Sequence, residues 1–241
     1  MSRRFALWIA APALLVLSIT ACRTTDTGSV RPGVNDDYRN ANVAEWQARF
    51  ESESREIYVE RERIADAAGI REGLMVADIG AGTGFFTDLF ARRVGPSGLV
   101  YAVDITPEFI AHIDAHARAE GLHNVRTVLC PADSVDLPDA SIDVAFVCDT
   151  YHHFEFPARS LRSIHRALRP RGQLVVIDFD RVPGVSREWV MNHVRAGREQ
   201  IIDEITAAGF ELLSRQNDAP YLKENYLLRF RKIDEPGIAS P

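Results

Sequence analysis

The stretch Val76-Ala77-Asp78-Ile79-Gly80-Ala81-Gly82-Thr83-Gly84 decides the fold of this 241-residue chain. The apolar run at residues 74–79 is short, and glycines follow it. Such a run is typical of a strand buried on both faces of a parallel sheet. The glycines permit positive φ and let a ligand approach the backbone closely. A helical pattern then continues to Val94, where Gly95-Pro96 ends it. The stretch therefore predicts a strand, a glycine loop and a helix that together face a ligand.

Strand and helix patterns alternate along the rest of the chain. Strands are predicted at residues 74–79, 98–104, 125–129, 142–147, 172–178, 210–215 and 226–231. Because βαβ units join parallel strands by right-handed crossovers, we expect a mainly parallel sheet with helices on both faces. The last two predicted strands have no helix between them, so we expect one antiparallel edge strand. The predicted fold class is α/β, a doubly wound Rossmann-like sheet.

The N-terminal residues have the pattern of a signal peptide. Residues 1–21 contain no Asp or Glu, and an apolar run follows the basic pair Arg3-Arg4. The run is short for a membrane span, which needs about 20 residues, and suits a secretory leader better. Small residues before Cys22 resemble the lipobox of bacterial lipoproteins. This resemblance implies a lipidated Cys22 and an exported protein anchored to a membrane on the periplasmic or outer side. An uncleaved anchor and a conventional cleaved signal are the alternatives.

The remaining composition predicts one acidic globular domain. Without residues 1–21 the chain has 26 Lys and Arg against 34 Asp and Glu. This balance does not suit a nucleic-acid binder that neutralises phosphates, so no nucleic-acid partner is expected. Residues 22–39 lack apolar periodicity and predict a flexible tether. The domain is expected at residues 40–233, with a disordered tail at 234–241, and the oligomeric state stays open.

An acidic residue, Asp104, ends the second predicted strand. Its carboxylate can accept hydrogen bonds from both hydroxyls of an adenosine ribose. A nicotinamide or flavin dinucleotide would use the same crevice, but its fingerprint requires a third glycine where this chain has Phe85. The spacing of the glycines therefore counts against a dinucleotide, although a nucleotide-cofactor oxidoreductase remains an alternative. A glycine turn beside a solvated aspartate is the other alternative.

Five motifs resemble those of class I S-adenosylmethionine-dependent methyltransferases, in the same order. The first is the glycine loop, and the others are Tyr101-Ala102-Val103-Asp104-Ile105, Ala132-Asp133, residues 137–146, and Leu168-Arg169-Pro170-Arg171-Gly172. The last commonly reads Leu-Lys-Pro-Gly-Gly, so Arg171 is a departure that lies in a turn. The resemblance covers residues 46–231 and implies a seven-stranded sheet, S-adenosylmethionine as cofactor, and direct in-line methyl transfer to a small-molecule acceptor.

The resemblance also implies which residues bind the cofactor. Asp78 and the loop Gly80-Ala81-Gly82-Thr83-Gly84 would hold its methionine end. Asp104 would bind the ribose, and Ile105 would pack on the adenine. Asp133 would lie near the adenine amino group, with Ala132 offering backbone, while Cys148 and Asp149 would face the reactive end.

Two histidines, His152 and His153, follow the fourth predicted strand and are the candidate catalytic residues. Either could supply a base or a hydrogen bond to the acceptor, or could merely shape the pocket. His193 lies in a segment that is interpreted as a lid over the acceptor or as a surface helix.

A metal ion is a further alternative, because several potential ligands follow strand ends. They are Asp149, His152, His153, Asp178 and Asp180. The local motifs differ from those of metal-dependent catechol-type methyltransferases, so no metal is predicted.

Two classes of function remain open at this stage. The first is a small-molecule methyltransferase, which the ordered cofactor motifs favour. The second is a membrane-tethered binding protein of the same fold without turnover. The leader favours the second, because S-adenosylmethionine is made in the cytosol.

Overall fold

The computed structural model describes residues 28–52, 55–214 and 218–234. The predicted signal peptide, Cys22 and nearly all of the predicted tail lie outside these ranges. Among the described residues, the search for membrane-spanning helices finds none of sufficient length and hydropathy.

Helices and strands alternate as the sequence predicts. The helices are α1 (Val43–Phe50), α2 (Glu56–Val59), α3 (Arg61–Ala67), α4 (Phe85–Val94), α5 (Pro107–Ala119), α6 (Pro157–Ala167), α7 (Glu188–His193) and α8 (Arg198–Ala207). The strands are β1 (Met75–Ile79), β2 (Leu99–Asp104), β3 (Val125–Leu129), β4 (Ile142–Cys148), β5 (Leu168–Phe179), β6 (Phe210–Leu212) and β7 (Asn225–Lys232). Short 3₁₀ turns occur at Asp36–Tyr38 and Tyr151–His153.

The seven strands form one sheet in the order β3-β2-β1-β4-β5-β7-β6. The first five strands of this order are parallel, and β7 runs antiparallel to both β5 and β6. The predicted doubly wound sheet is therefore confirmed, and its antiparallel strand lies beside the edge strand β6. The strand order reverses between β1 and β4, which is where ligands bind in open α/β sheets.

The strand residues alternate between two apolar cores, one on each face of the sheet. Ala77 and Ile79 pack in the core that α6 and α8 cover. Val76, one position along, packs in the core that α3 and α4 cover. Since both faces are buried, β1 reads as a continuous apolar run, as expected for a central parallel strand.

Strand β5 begins earlier than predicted because Leu168 already pairs with Ile142 of β4. The strand continues through the motif Leu168-Arg169-Pro170-Arg171-Gly172. Within it, Arg171 has a φ of 60°, in the left-handed region. Arg171 therefore replaces the usual glycine of this motif at a position whose left-handed backbone a glycine would adopt without strain.

Residues 28–39 differ from the flexible tether that the sequence predicts. The amide of Val30 donates to the carbonyl oxygen of Glu155 at 2.9 Å. The Asn35 side chain donates to the carbonyl oxygen of His153 at 3.2 Å. The ring of Tyr38 stacks on Trp46, with centroids 4.6 Å apart. These contacts lay the segment across the carboxyl edge of the sheet, and its lack of periodicity reflects an irregular backbone.

Candidate active site

A cavity of about 960 Å³ lies at the carboxyl edge of the sheet. Its walls are the glycine loop, the ends of β2 and β4, the N-terminal segment, α1 and α7. The volume is at the upper end of what small-molecule and cofactor sites usually enclose, about 300–1,000 Å³. One cavity can therefore hold a cofactor together with a second ligand.

The glycine loop turns sharply out of β1. The amides of Gly80 and Ala81 both donate to the carbonyl oxygen of Val103, at 2.8 and 3.1 Å. Gly80 has a φ of +72°, and a Cβ there would lie 2.2 Å from Cγ2 of Thr150. Only glycine fits this position, because the loop after β4 packs directly against it.

Asp104 ties the glycine loop to the end of β2. One carboxylate oxygen accepts the amide of Gly82 at 2.9 Å, and the other accepts the amide of Thr106 at 2.8 Å. Burial raises the pKa of this carboxyl, although the backbone hydrogen bonds oppose the shift. Both oxygens keep lone pairs that a ribose hydroxyl can use.

Asp78 is the second buried carboxyl of the cavity. Its Oδ2 accepts a hydrogen bond from the hydroxyl of Thr87 at 2.6 Å. Burial, with a smaller contribution from the charge of Asp104, raises the pKa of Asp78 to about 7. Such a buried carboxyl, with a hydroxyl as its neighbour, suits a cationic ligand group. A positive charge beside it would lower the pKa of Asp78 again and keep the carboxylate charged.

Most of the predicted cofactor-binding residues line this cavity. Those that do are Asp78, Gly80, Ala81, Gly82, Asp104, Ile105, Ala132, Cys148 and Asp149. Thr83 instead donates its hydroxyl to Glu51 at 2.8 Å. Asp133 pairs with Arg159 at 3.3 Å, while its neighbours Ala132 and Ser134 line the cavity.

Asp149 sits at the switch point with a φ of 48°, a strained value for a residue other than glycine. It forms an ion pair with Arg55, and Asn225 donates its side-chain amide to the other oxygen at 2.6 Å. Burial raises the pKa of Asp149, against the opposing charge of Arg55. This network fixes the loop that follows β4.

The two predicted catalytic histidines also line the cavity, and both are buried. Nδ1 of His152 lies 2.6 Å from Oδ1 of Asp178, whose Oδ2 accepts the backbone amide of His152 at 3.0 Å. Nε2 of His153 lies 3.2 Å from Nε2 of His193 and 3.3 Å from the hydroxyl of Tyr38. Burial and the neighbouring histidines lower the pKa of His153 to about 2 and that of His193 to about 4. The structure thus brings the ring of His193 to those of the adjacent pair His152 and His153, 40 residues earlier in the sequence.

Aromatic side chains that the sequence did not assign complete the walls. Tyr38, Trp46 and Phe50 come from the N-terminal segment, and Trp189 comes from α7. Trp46 and Phe50 lie on α1. No local pattern in the sequence shows that these two side chains face the cavity.

The residues fit S-adenosylmethionine. Asp104 and the loop backbone offer a site for a ribose, and Asp78 offers a carboxylate for an ammonium group. The exposed Ile105 side chain, next to Asp104, lines the cavity and can cover an adenine.

Part of the chain matches a known domain family. Residues 77–176 match the family described as "Methyltransferase domain". The protein of Pasteurella multocida (strain Pm70) named ubiquinone/menaquinone biosynthesis C-methyltransferase UbiE is 34% identical over 117 residues. The match covers 48% of this chain and 44% of that protein. The protein of the same name from Hydrogenovibrio crunogenus is 32% identical over 118 residues, and this match covers 48% of this chain and 46% of that protein. The chain spans a little under half the length of these relatives.

Solved structures agree with the fold. A SAM-dependent methyltransferase from Aquifex aeolicus superposes with a TM-score of 0.70 at 22% identity, covering 80% of this chain and all of that one. The [4+2]-cyclase SpnF superposes with a TM-score of 0.62 at 21% identity, covering 72% of this chain and 80% of that one. At these identities the likeness establishes the fold. The cofactor that the matched domain implies is S-adenosylmethionine, and the comparisons favour neither the oxidoreductase nor the binding protein without turnover.

Proposed function

We infer that this chain, which carries an S-adenosylmethionine-dependent methyltransferase domain across residues 77–176, is an enzyme of the EC 2.1.1 type, and we propose that it methylates a small molecule. One observation carries the proposal most directly. Asp104 is hydrogen-bonded to the glycine loop and faces a cavity that extends to a cluster of histidines. A cofactor bound at Asp104 would therefore share one enclosed space with an acceptor bound at the histidines.

The residues of the cavity fall into two groups, one that would bind the cofactor and one that would bind the acceptor. Asp104 and Ile105 bind and orient the nucleoside, and Asp78 pairs with the methionine ammonium. When bound, S-adenosylmethionine supplies an electrophilic methyl group: an electron pair of the acceptor, from an oxygen or from the π system at a ring carbon, bonds to the methyl carbon while the carbon–sulfur bond breaks and its electrons stay on sulfur. The proton that the hydroxyl or the ring carbon loses passes to a base in the cavity or to solvent. The protein's main contribution is then to position the acceptor, and orientation can supply about 7–11 kcal/mol.

His152 is the proposed catalytic contact to the acceptor. Asp178 occupies its Nδ1, so Nε2 is the nitrogen left to meet a ligand. His153 is already engaged by Tyr38 and His193, and we assign it to shaping the pocket. Four aromatic side chains, Tyr38, Trp46, Phe179 and Trp189, line the cavity.

The aromatic walls and the names of the relatives guide the choice of acceptors. Aromatic side chains favour a planar acceptor that can stack between them. The relatives are named C-methyltransferases of ubiquinone and menaquinone biosynthesis. We therefore propose hydroxylated aromatic rings as the first acceptor class to screen, with both ring carbon and oxygen as attacking atoms.

Calorimetric titration of the full chain with S-adenosylmethionine tests the cofactor site. We expect binding in the micromolar range and a loss of at least about tenfold in Asp104→Ala, which removes both the ribose acceptor and the loop anchor. Asp143→Ala is the matched control. Asp143 also accepts a backbone amide, that of Met75 at 2.8 Å, but at the far end of the sheet. No binding by the unaltered chain, or equal binding by Asp104→Ala, would refute the assignment.

A labelled-methyl screen then separates the enzyme from a binding protein without turnover. We expect transfer of label from the cofactor to one of the ring acceptors. Tight cofactor binding with no transfer to any compound of the panel would count for the binding protein.

Export and lipidation of Cys22 remain predictions from the sequence. Mass spectrometry of the protein from its native membrane should find an acylated Cys22 at the N-terminus. An intact Met1 would reject this prediction.

A further inference from the structure

Three imidazoles meet at the acceptor end of the cavity. His152 and His153 come from the 3₁₀ turn after β4, and His193 is the last residue of α7. Each offers one ring nitrogen, and these three nitrogens lie within 4.8 Å of one another. Among the described residues this is the cluster of side chains with the composition and spacing of a metal site.

The distances between the rings agree with tetrahedral coordination. The ring centroids are 4.3, 5.0 and 5.1 Å apart. Three imidazoles on a tetrahedral Zn²⁺, with Zn–N bonds of about 2.0–2.1 Å, would have centroids about 5 Å apart and ligand nitrogens about 3.3 Å apart. The two Nε2 atoms of His153 and His193 are already 3.2 Å apart. The third nitrogen, from His152, lies within 4.8 Å of both.

Neighbouring side chains orient two of these rings. Asp178 is fully buried and holds Nδ1 of His152, which leaves Nε2 as the donor toward a metal. Metal-binding histidines usually have such a carboxylate on the other ring nitrogen. The ring of Trp189 stacks on His193 at 4.6 Å and 19°. His152 and His193 are therefore held in place by groups that are not themselves ligands.

The ring of His153 meets its neighbours through Nε2. This nitrogen lies 3.2 Å from Nε2 of His193 and 3.3 Å from the hydroxyl of Tyr38. Without a metal, the two close Nε2 atoms must share a proton. A cation between them would instead accept one lone pair from each ring.

We propose that His152, His153 and His193 bind one divalent transition-metal ion, and that this ion is Zn²⁺. Neutral imidazoles suit Zn²⁺ among the common biological cations, whereas Mg²⁺ and Ca²⁺ require oxygen ligands. Three histidines leave the fourth tetrahedral position open, as in catalytic rather than structural zinc sites.

The open position faces the cavity, because all three histidines line it. There the ion would hold an oxygen of the acceptor, polarise it and fix its distance from the methyl group, so that with the ion bound His152 would act on the acceptor through the ion and not by direct contact. This role rests on the proposed methyl transfer, whereas the metal site itself does not. It also narrows the acceptor class to molecules with a hydroxyl or carbonyl oxygen beside the attacking atom.

The sequence predicted no metal because the local motifs differ from those of metal-dependent catechol-type methyltransferases. In the structure two of the candidate carboxylates are already engaged. Asp178 holds His152, and Asp149 is paired with Arg55 and Asn225. The third imidazole comes from His193, which the sequence interpreted as part of a lid or of a surface helix.

Metal titration of the full chain tests the site directly. The protein is stripped with a chelator and titrated with Zn²⁺ against a chromophoric competitor. We expect one tight site per chain and a loss of affinity of about 10- to 100-fold or more in His193→Ala, since removal of a ligand should cost at least as much as removal of a second-sphere partner. His123→Ala is the matched control, because His123 is an exposed histidine outside the cavity.

Cofactor titration of His193→Ala shows whether the variant is folded. We expect it to bind S-adenosylmethionine like the unaltered chain, because the side chain of His193 contacts His152, His153 and Trp189 and not Asp104 or the glycine loop. No tight Zn²⁺ site in the unaltered chain, or equal Zn²⁺ affinity in a folded His193→Ala, would overturn the proposal. Neither readout depends on enzymatic activity, so failure of the metal site and failure of methyl transfer are distinguishable.

Cobalt substitution tests the open position. Catechol is added to the Co²⁺-loaded chain as an oxygen-donor probe, and the visible absorption bands of the ion are followed. We expect the bands to shift as catechol takes the open position. Unchanged bands at saturating catechol would overturn the proposed role in holding the acceptor.

Discussion

Nδ1 of His152 lies 2.6 Å from Oδ1 of Asp178, and both side chains are buried at the acceptor end of the cavity. The same carboxylate accepts the amides of His152 and Phe179, at 3.0 and 2.8 Å. Asp178 therefore fixes both the backbone and the ring of the residue that we expect to meet the acceptor. It is a positioning residue, since it acts through His152.

Asp178→Asn should reduce turnover and spare cofactor binding. An amide has one acceptor oxygen in place of two, so His152 loses part of its support. We expect turnover to fall by about 10- to 100-fold, as for other residues that orient a functional histidine. Calorimetry should find the affinity for S-adenosylmethionine unchanged.

Asp143→Asn is the control for this prediction. Asp143 accepts the amide of Met75 and pairs with Arg169, but at the opposite edge of the sheet. Its substitution should cost stability and leave turnover per folded molecule unchanged. Parallel losses of cofactor affinity and turnover in Asp178→Asn would contradict a positioning role.

The affinity for S-adenosylmethionine should depend on pH through Asp78. Its pKa of about 7 means that the carboxyl is largely protonated below neutrality and cannot pair with an ammonium group. Binding of the cation favours the charged carboxylate and releases a proton, so affinity should rise with pH to about 7 and then level off. Titrations from acidic to mildly alkaline pH, in buffers of different ionisation enthalpy, would measure both effects.

The same shift predicts a change in stability without ligand. The folded chain keeps a proton on Asp78 that the unfolded chain releases above its ordinary pKa of 3.8. Stability should therefore fall as the pH rises from about 4 to about 7. Asp78→Asn should flatten both profiles, and an unchanged affinity profile in this variant would assign the dependence to another group.

Gly80→Ala should be far more harmful than Gly69→Ala. Both glycines have a φ of +72°, but a Cβ at Gly80 would collide with Thr150, whereas one at Gly69 meets nothing within 4 Å. The left-handed backbone alone costs an alanine about 1–2 kcal/mol, which is what we expect at Gly69. At Gly80 the collision adds to this cost and displaces the loop, so cofactor affinity should fall as well. Equal losses of unfolding free energy in the two variants, measured in denaturant, would contradict this prediction, because they would show that the loop after β4 moves aside at little cost.

Arg171→Gly should stabilise the protein. The left-handed conformation costs Arg171 about 1–2 kcal/mol, of which the greater freedom of glycine in the unfolded chain cancels about 0.5–1 kcal/mol. We expect a net gain of about 0.5–1 kcal/mol in chemical denaturation. Arg126→Gly, at an exposed position in β3, should instead lose stability, because its backbone is extended.

The sequence was sufficient for the sheet and for the position of three predicted cofactor-binding residues in one cavity. Apolar runs and closing glycines are local signals, and Asp78, Gly80 and Asp104 stand at strand ends that a doubly wound fold must bring to one edge. The predicted strand at 125–129 coincides with β3.

The acceptor end depends on packing between distant segments, which no local pattern encodes. Tyr38 meets His153 across 115 residues of sequence, and His193 meets His153 across 40. Residues 28–39 are polar and lack periodicity, so they resembled a tether. They are held instead by specific hydrogen bonds such as that from Asn35 to His153.

Residues 28–39, which form one wall of the cavity, bear on the order in which parts of this protein fold. Arg31 donates to the carbonyl oxygen of His193, 162 residues later in the chain. Contacts of such long range form only after the entropy of closing a large loop has been overcome, and they add little to the sheet itself. We therefore expect the sheet to fold first and the acceptor end of the cavity to form last. A newly made molecule would then have a stable sheet before it can bind an acceptor.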